Sequence, residues 1–184
     1  GFSGSRYSLT MNEVSDFNGD GQKGNSLLYI PTEAEMDNMN FVDYTDQKTG
    51  KLIMSAADSR KAFTEWVNND DYAKNHRGQY AERNSNLSNW EHEIDLHLAQ
   101  TIYNAQGLGK LEFTFDIINF ANMLNKKWGA SYSSAYNLSP LTVVSLSTDE
   151  NGNRNPGYAF NNAKINKSDI SSRWHAQVGI RLTF

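Results

Sequence analysis

The sequence predicts an all-β chain built on long, two-faced antiparallel strands. Three observations carry that expectation: strict alternation in the last twelve residues, strand lengths beyond those of ordinary globular sheets, and connections that run long, short, long. From Arg173 to Phe184 the even positions Trp174, Ala176, Val178, Ile180, Leu182 and Phe184 are apolar, while the odd positions carry no large apolar group. Side chains alternate across a strand with period two, so one face is greasy and the other holds Arg173, His175, Gln177, Arg181 and Thr183.

The elements follow in chain order. A first strand is expected near residues 2–11, where Tyr7, Leu9 and Met11 share a face opposite Arg6, Ser8 and Thr10. It is the weakest of the four, and because the chain opens inside it, the sequence reads as the C-terminal piece of something longer. A connection near residues 12–89, about 70 residues long, follows. Within it Ser55 and Asp58 resemble a capping box, and Phe63, Trp66 and Val67 fall three and four apart, which predicts an amphipathic helix over Ser55–Asn69. Its aromatic face is expected to pack within the loop, with a ligand platform at Trp66 as the competing reading. A further helical turn is allowed between Asp71 and Glu82, weakened by Gly78.

The second strand is expected near 90–103, with Trp90, Ile94, Leu96, Leu98 and Ile102 on one face and Glu91, Glu93, Asp95, His97 and Thr101 on the other. Asn104–Lys110, with Gly107 and Gly109, suits a hairpin connection. The third strand is expected near 111–124, alternating through Leu111, Phe113, Phe115 and Ile117, with a bulge or rim where the pattern blurs at Ile118 and Phe120. A second long connection covers 125–172, and the fourth strand, 173–184, ends the chain.

Strand length bears on the solvent. Twelve residues at about 3.3 Å each, tilted near 45°, rise roughly 28 Å, close to the apolar band of an outer-membrane barrel. Such barrels pair short periplasmic turns with long external loops, and on that parity the last strand runs inward. A lipocalin-like barrel or a sandwich, with the same apolar face turned inward, meets the alternation equally well.

Composition removes other classes. The formal net charge of −4 gives no basic footprint for nucleic acid, and the absence of cysteine excludes disulfide frameworks and thiolate metal sites. No apolar run reaches the ~18 residues of a spanning helix. His76, His92, His97 and His175 form no His-Glu-x-x-His, and no Gly-x-Ser-x-Gly elbow or phosphate-binding glycine loop is present, so no enzyme is expected. Glu91, Glu93 and Asp95 share a face at a spacing that suits a pair of glycosidase carboxylates, but a hydrated barrel wall places the same letters there. The sequons at Asn86, Asn137 and Asn166 would be incidental if the source were bacterial.

Asp16, Asn18 and Asp20 stand at positions one, three and five of an EF-hand-like pattern, with Gly21 at the sharp turn. Leu27 occupies the position of the bidentate acid, so half a calcium loop is present. An Asn, Asp and Gly turn accounts for the same letters. No cofactor is otherwise required.

Several blocks resemble a family. Asp16-Phe-Asn-Gly-Asp-Gly21 with Gly24-Asn-Ser-Leu-Leu-Tyr-Ile-Pro31, Tyr72 to Asn84, Asn89-Trp-Glu-His, Leu111 to Asn125 with Trp128-Gly129, and Arg173 to Phe184 are similar to SusC/RagA-type TonB-dependent outer-membrane transporters. The blocks cover nearly the whole chain in the expected order, and the segment from about Ser131 to Ser171 carries little of the likeness. The resemblance implies the C-terminal part of a 22-stranded transmembrane antiparallel barrel, about its last four strands, with long partly helical external loops at the cell surface. It implies no catalysis. The N-terminal plug and the segment that contacts the TonB energising complex would lie outside this chain. The implied partners are the rest of the barrel and its plug, outer-membrane lipid, and a SusD-like surface lipoprotein. The implied cargo is oligosaccharide, with oligopeptide the alternative. A soluble carbohydrate-binding β domain is the reading from a different class.

Oligosaccharide sites need aromatic platforms with convergent polar groups, and the loop aromatics Tyr44, Trp66, Tyr80, Trp128 and Tyr136 are the candidate ligand contacts, beside Tyr72, Tyr132 and Tyr158. Trp90 and Trp174, near strand starts, are expected in an interfacial girdle.

Overall fold

The computed structural model describes residues 4–13, 20–46, 48–105, 109–133 and 136–183. Strands make up 43% of it, with few helices, so the chain is all-β, and no closed barrel occurs among the described residues. The chain forms two compact units. One comprises Gly1–Gly4, Ser88–Ser133 and Asn166–Phe184, and the other Ser5–Leu87 with Ser134–Ile165. The longer elements are β1 (Arg6–Glu13), α1 (Glu33–Asn38), α2 (Ala56–Asn69), β2 (Leu96–Ala105), β3 (Gly109–Ile118), α3 (Phe120–Leu124), β4 (Asn137–Thr148), β5 (Arg154–Phe160) and β6 (His175–Thr183).

The first unit is built on a three-stranded antiparallel sheet in the order β6-β3-β2. Its register stacks like on like. Val178 faces Phe115, which faces Leu98; Ala176 faces Ile117, which faces Leu96; Ile180 faces Phe113. On the other side Arg181 faces Glu112 opposite Thr101, and Gln177 faces Asp116 opposite His97. His97 pairs with Asp116, and Glu112 accepts from Lys110 at 2.6 Å with Arg181 at 3.6 Å. The alternation expected for these three strands is therefore one apolar and one charged face. Leu98, Ile102, Val178, Ile180 and Leu182 are all more than half exposed.

Two strand boundaries differ from expectation. The strand expected from residue 90 begins its ladder at Leu96, because Asp95 turns aside to accept from Asn119 N at 2.9 Å. The strand expected to reach residue 124 stops at Ile118. Asn119 takes a left-handed conformation, φ 54°, which Asn tolerates better than most side chains, and α3 follows. Asn119 is 3% exposed, and its Nδ2 donates to Gly129 O at 2.8 Å and Ser172 O at 3.0 Å. One amide thus fastens three separate chain segments at the end of the sheet. The hairpin is as expected in outline: Ala105 pairs with Gly109, which has φ 96°. Residues 106–108 and Phe184 lie outside the described residues.

The second unit holds a four-stranded sheet in the order β5-β4-β1 and Asn86–Leu87, in which β1 and β4 run parallel. The strand expected near residues 2–11 is thereby corrected. It runs Arg6–Glu13, belongs to this sheet rather than to the β6-β3-β2 sheet, and is buried on both faces: Tyr7, Leu9 and Met11 on one, Ser8 and Thr10 on the other. The connection expected near 125–172 is not a plain loop either, since it contributes β4 and β5. These are joined at Asp149, whose Oδ1 accepts from Asn151 N at 2.9 Å and Asn153 N at 2.7 Å, with Gly152 at φ 83°.

The expected helix is found as α2, with Ser55 Oγ accepting from Asp58 N at 3.1 Å. Phe63 and Val67 are fully buried and join Leu9, Leu28, Ile30 and Leu141 in the core. The allowed turn after it is a 3-10 helix, Ala73–Asn75. Arg60 of α2 donates to Met36 O and, at 2.6 Å, to Met39 O, tying α2 to the end of α1. No described helix is long and apolar enough to cross a membrane.

Candidate functional site

The second unit carries an aromatic cleft of about 230 Å³ lined by Met11, Tyr29, Pro31, Glu35, Met39, Tyr80, Leu141 and Tyr158. Three segments bring the tyrosines together. Tyr29 pairs with Tyr80 in a two-residue ladder, and their rings meet edge to face at 5.1 Å and 62°. Tyr158 comes from β5, held by its N–H to Asn40 O at 2.8 Å and by Val42 N to its own carbonyl at 3.0 Å.

Glu35 is fixed by a capping box at the start of α1. Its Oε2 accepts from Thr32 N at 2.9 Å, and its backbone N–H donates to Thr32 Oγ1 at 3.3 Å. Its Oε1 accepts from Tyr29 Oη at 2.9 Å. The bonds from Thr32, then the one from Tyr29, hold the Glu35 carboxyl below its ordinary range, and the Tyr29 phenol is raised chiefly by donating to that carboxylate. Burial, then the nearby Tyr80, raises the Tyr158 phenol. Glu35, Met39 and Tyr158 also border an adjoining hollow of about 320 Å³ with Asn38, Asn40, Asn155 and Pro156. The cleft thus sets flat apolar rings beside one ionised carboxylate, with three amides at the adjoining hollow. A single carboxylate in the cleft does not make a general acid and base pair.

The first unit has its own concavity, about 290 Å³, where Trp90, His92 and Ile94 meet Lys127, Trp128 and Tyr132. Trp90 Nε1 donates to His92 Nδ1 at 3.3 Å. Glu91 and Glu93 line a neighbouring hollow with Asn119, and His92 borders both. Glu91 Oε1 accepts from Tyr132 N at 2.8 Å, which occupies that carboxylate structurally.

The residues expected to bind ligand scatter over these places. Tyr80 lies in the aromatic cleft, as does Tyr158. Tyr44 is half-buried in a two-residue ladder opposite Met54. Trp66 stacks on Phe63 at 5.9 Å and 7° and packs against the core, the loop-packing reading of that residue. Trp128 borders the other concavity, and Tyr136 is 88% exposed, its backbone oxygen accepting from Ser8 N at 2.9 Å. Tyr72 stacks on His76. Trp90 and Trp174 are both about half exposed. Asp16 and Asn18 lie outside the described residues. Asp20 accepts from Gln22 N and Asn25 Nδ2, each at 2.8 Å. Among the described residues no three His, Asp or Glu side chains group to hold a metal by themselves.

Sequence reasoning missed Tyr29, Glu35 and the Asn38–Asn40 edge. A signal existed in Pro31-Thr32-Glu33-Ala34-Glu35, where Thr and Glu three apart after a proline mark a helix start.

Comparison of the chain with known protein families, curated proteins and solved structures finds no match to any of them.

Proposed function

We propose that the chain is part of a TonB-dependent outer-membrane transporter of the SusC/RagA type, importing oligosaccharides with a SusD-like surface lipoprotein. On this reading β2, β3 and β6 are wall strands near the end of a 22-stranded barrel, their apolar face turned to lipid and their charged face to the lumen. The observation that carries it is the bare apolar face. Leu98, Val178, Ile180 and Leu182 are uncovered, while the opposite face carries Glu112 with Lys110 and Arg181 and the His97–Asp116 hydrogen bond. A soluble sandwich or lipocalin-like barrel turns its apolar face inward, and water-exposed apolar patches of this extent are rare.

The cargo assignment rests on the tyrosine cleft with its carboxylate and amide edge, whose flat rings and polar rim suit sugar rings. The chain's loops then stand at the cell surface, and Trp90 and Trp174 in an interfacial girdle. The test is fractionation of the full-length protein: it partitions with outer membranes and needs detergent to stay dispersed. A protein that is monodisperse in detergent-free buffer refutes the barrel. Binding assays with glycans and with peptides, run on the intact pair of transporter and lipoprotein, choose the cargo.

A further inference from the structure

Glu13, the last residue of β1, and Asn25 and Ser26, just before Leu27, carry three buried side-chain oxygens that no donor reaches: Glu13 Oε1, Asn25 Oδ1 and Ser26 Oγ. Glu13 is 6% exposed, and leaving a carboxylate oxygen buried without a partner costs far more than leaving an amide oxygen so. The sister atoms explain which oxygens remain. Gly24 N donates to Glu13 Oε2 at 3.4 Å, so Oε1 is the free arm. Asn25 donates through Nδ2 to Asp20 Oδ2 at 2.8 Å, so the amide cannot rotate to offer a donor without losing that bond, and its oxygen stays bare.

Backbone pairing sets the stretch that ends in Glu13 beside the stretch that carries Asn25 and Ser26. Thr10 bridges Leu27 antiparallel, and Met11 N donates to Ser26 O at 2.9 Å. Two residues further along the same pairing, Glu13 stands against Gly24, and Asp20 closes the turn through Gln22 and Asn25. A carboxylate, an amide oxygen and a hydroxyl, all hard oxygens, with a second carboxylate beside them, are the donor chemistry of a calcium ion.

We propose that Glu13, Asn25 and Ser26, with Asp20, bind one calcium ion at the end of β1. The half calcium pattern in the sequence lacks an acidic ligand downstream, where Leu27 stands, and Glu13 supplies that acid from upstream. Asp16 and Asn18 of the pattern lie outside the described residues, and the site is drawn from the others. Calcium takes six to eight oxygens at about 2.3–2.6 Å, so water and backbone carbonyls complete the shell. The ion pins the turn immediately before Leu28-Tyr29-Ile30, and so steadies the strand that carries Tyr29. The site is independent of the cargo assignment.

The experiment uses the full-length protein, purified without chelator. Metal analysis of the wild type, Glu13→Gln and Asn25→Ala is expected to show one calcium fewer per chain in each variant, while Asn25→Asp, which keeps the oxygen, retains it. Equal calcium in all four proteins overturns the site. Because Glu13→Gln alters a buried position, calcium titration of the chelator-stripped wild type provides a second measurement. Calcium chloride should raise its melting temperature and its resistance to proteolysis between residues 20 and 30, and magnesium chloride at the same concentration should do so less. A wild type indifferent to calcium, together with Glu13→Gln melting higher in chelator, identifies Glu13 as a buried neutral acid and refutes the proposal.

Discussion

Ile180 lies opposite Phe113 across β6 and β3, and the two side chains are 75% and 36% exposed. The pair stands mid-strand on the face that carries Val178, Leu182 and Phe115, so what meets Ile180 decides which solvent this face has. In a bilayer, Ile180→Arg is expected to cost about 2–4 kcal/mol at the midplane and less near an interface. Gln177→Arg, on the charged face, should be nearly silent. Yield of folded full-length protein in the outer membrane measures both. Equal tolerance of arginine at 177 and 180 refutes the lipid-facing assignment.

Asn119 and Gly129 form the second testable pair. Gly129 sits at φ 57°, and a Cβ there runs into the Asn119 side-chain amide. Gly129→Ala therefore combines backbone strain with a clash and should destabilise the end of the sheet by about 1–3 kcal/mol. Asn119→Gly keeps the left-handed backbone but leaves Gly129 O and Ser172 O without their donor, roughly 1–3 kcal/mol for a buried group. Limited proteolysis across residues 119–131 reports both. If only Asn119→Ala is harmful and Asn119→Gly is not, the backbone conformation matters and the amide bonds do not.

The tyrosine cleft predicts which loop aromatics matter for cargo. Replacing Tyr80 or Tyr158 by alanine removes one ring face, worth about 0.5–1.5 kcal/mol, so oligosaccharide affinity should fall roughly 2- to 10-fold. Tyr44 and Trp66 serve as controls: Tyr44→Ala should leave affinity unchanged, and Trp66→Phe should leave both affinity and the Phe63 core in place. Calorimetry on the intact transporter checks the order. Loss of affinity on replacing Tyr44 but not Tyr80 would move the site elsewhere.

These contrasts show what was legible in the letters. The β2, β3 and β6 strands were plain because each has one apolar face, and period two survives whichever solvent lies beyond it. The strand over Arg6–Glu13 was legible as alternation, Tyr7, Leu9 and Met11 against Ser8 and Thr10, but small polar letters do not tell that the second face is buried too. β4 and β5 were missed because Pro140 and Pro156 lie inside them, which argues against a strand in the letters, and because the pairing of β4 with β1 is far away in sequence. The cleft was half visible. Tyr80 and Tyr158 stood out as loop aromatics, but what unites them is Tyr29, whose pairing with Tyr80 is long-range and leaves no local pattern, and which carries the locally capped Glu35 with it.

Glu35 gives the cleft a pH dependence whose sign is fixed by its partners. Thr32 and Tyr29 bond its ionised form and hold its folded pKa below that of the unfolded chain. A lowered carboxyl contributes stability that is fully present above the unfolded value, about 4.3 for glutamate, and is lost as pH falls through the lower folded value. The start of α1 should therefore hold at neutral pH and loosen only below about pH 4. Tyr29 loses its acceptor in the same step, so the edge-to-face contact with Tyr80 should loosen with it. Amide protection factors over residues 32–38, followed from neutral to acid pH, measure the effect. Glu35→Gln keeps the shape but carries no proton to exchange, and its protection should be flat across that window. If wild type and Glu35→Gln lose protection together, the acid transition belongs to another group and the capping box does not control it.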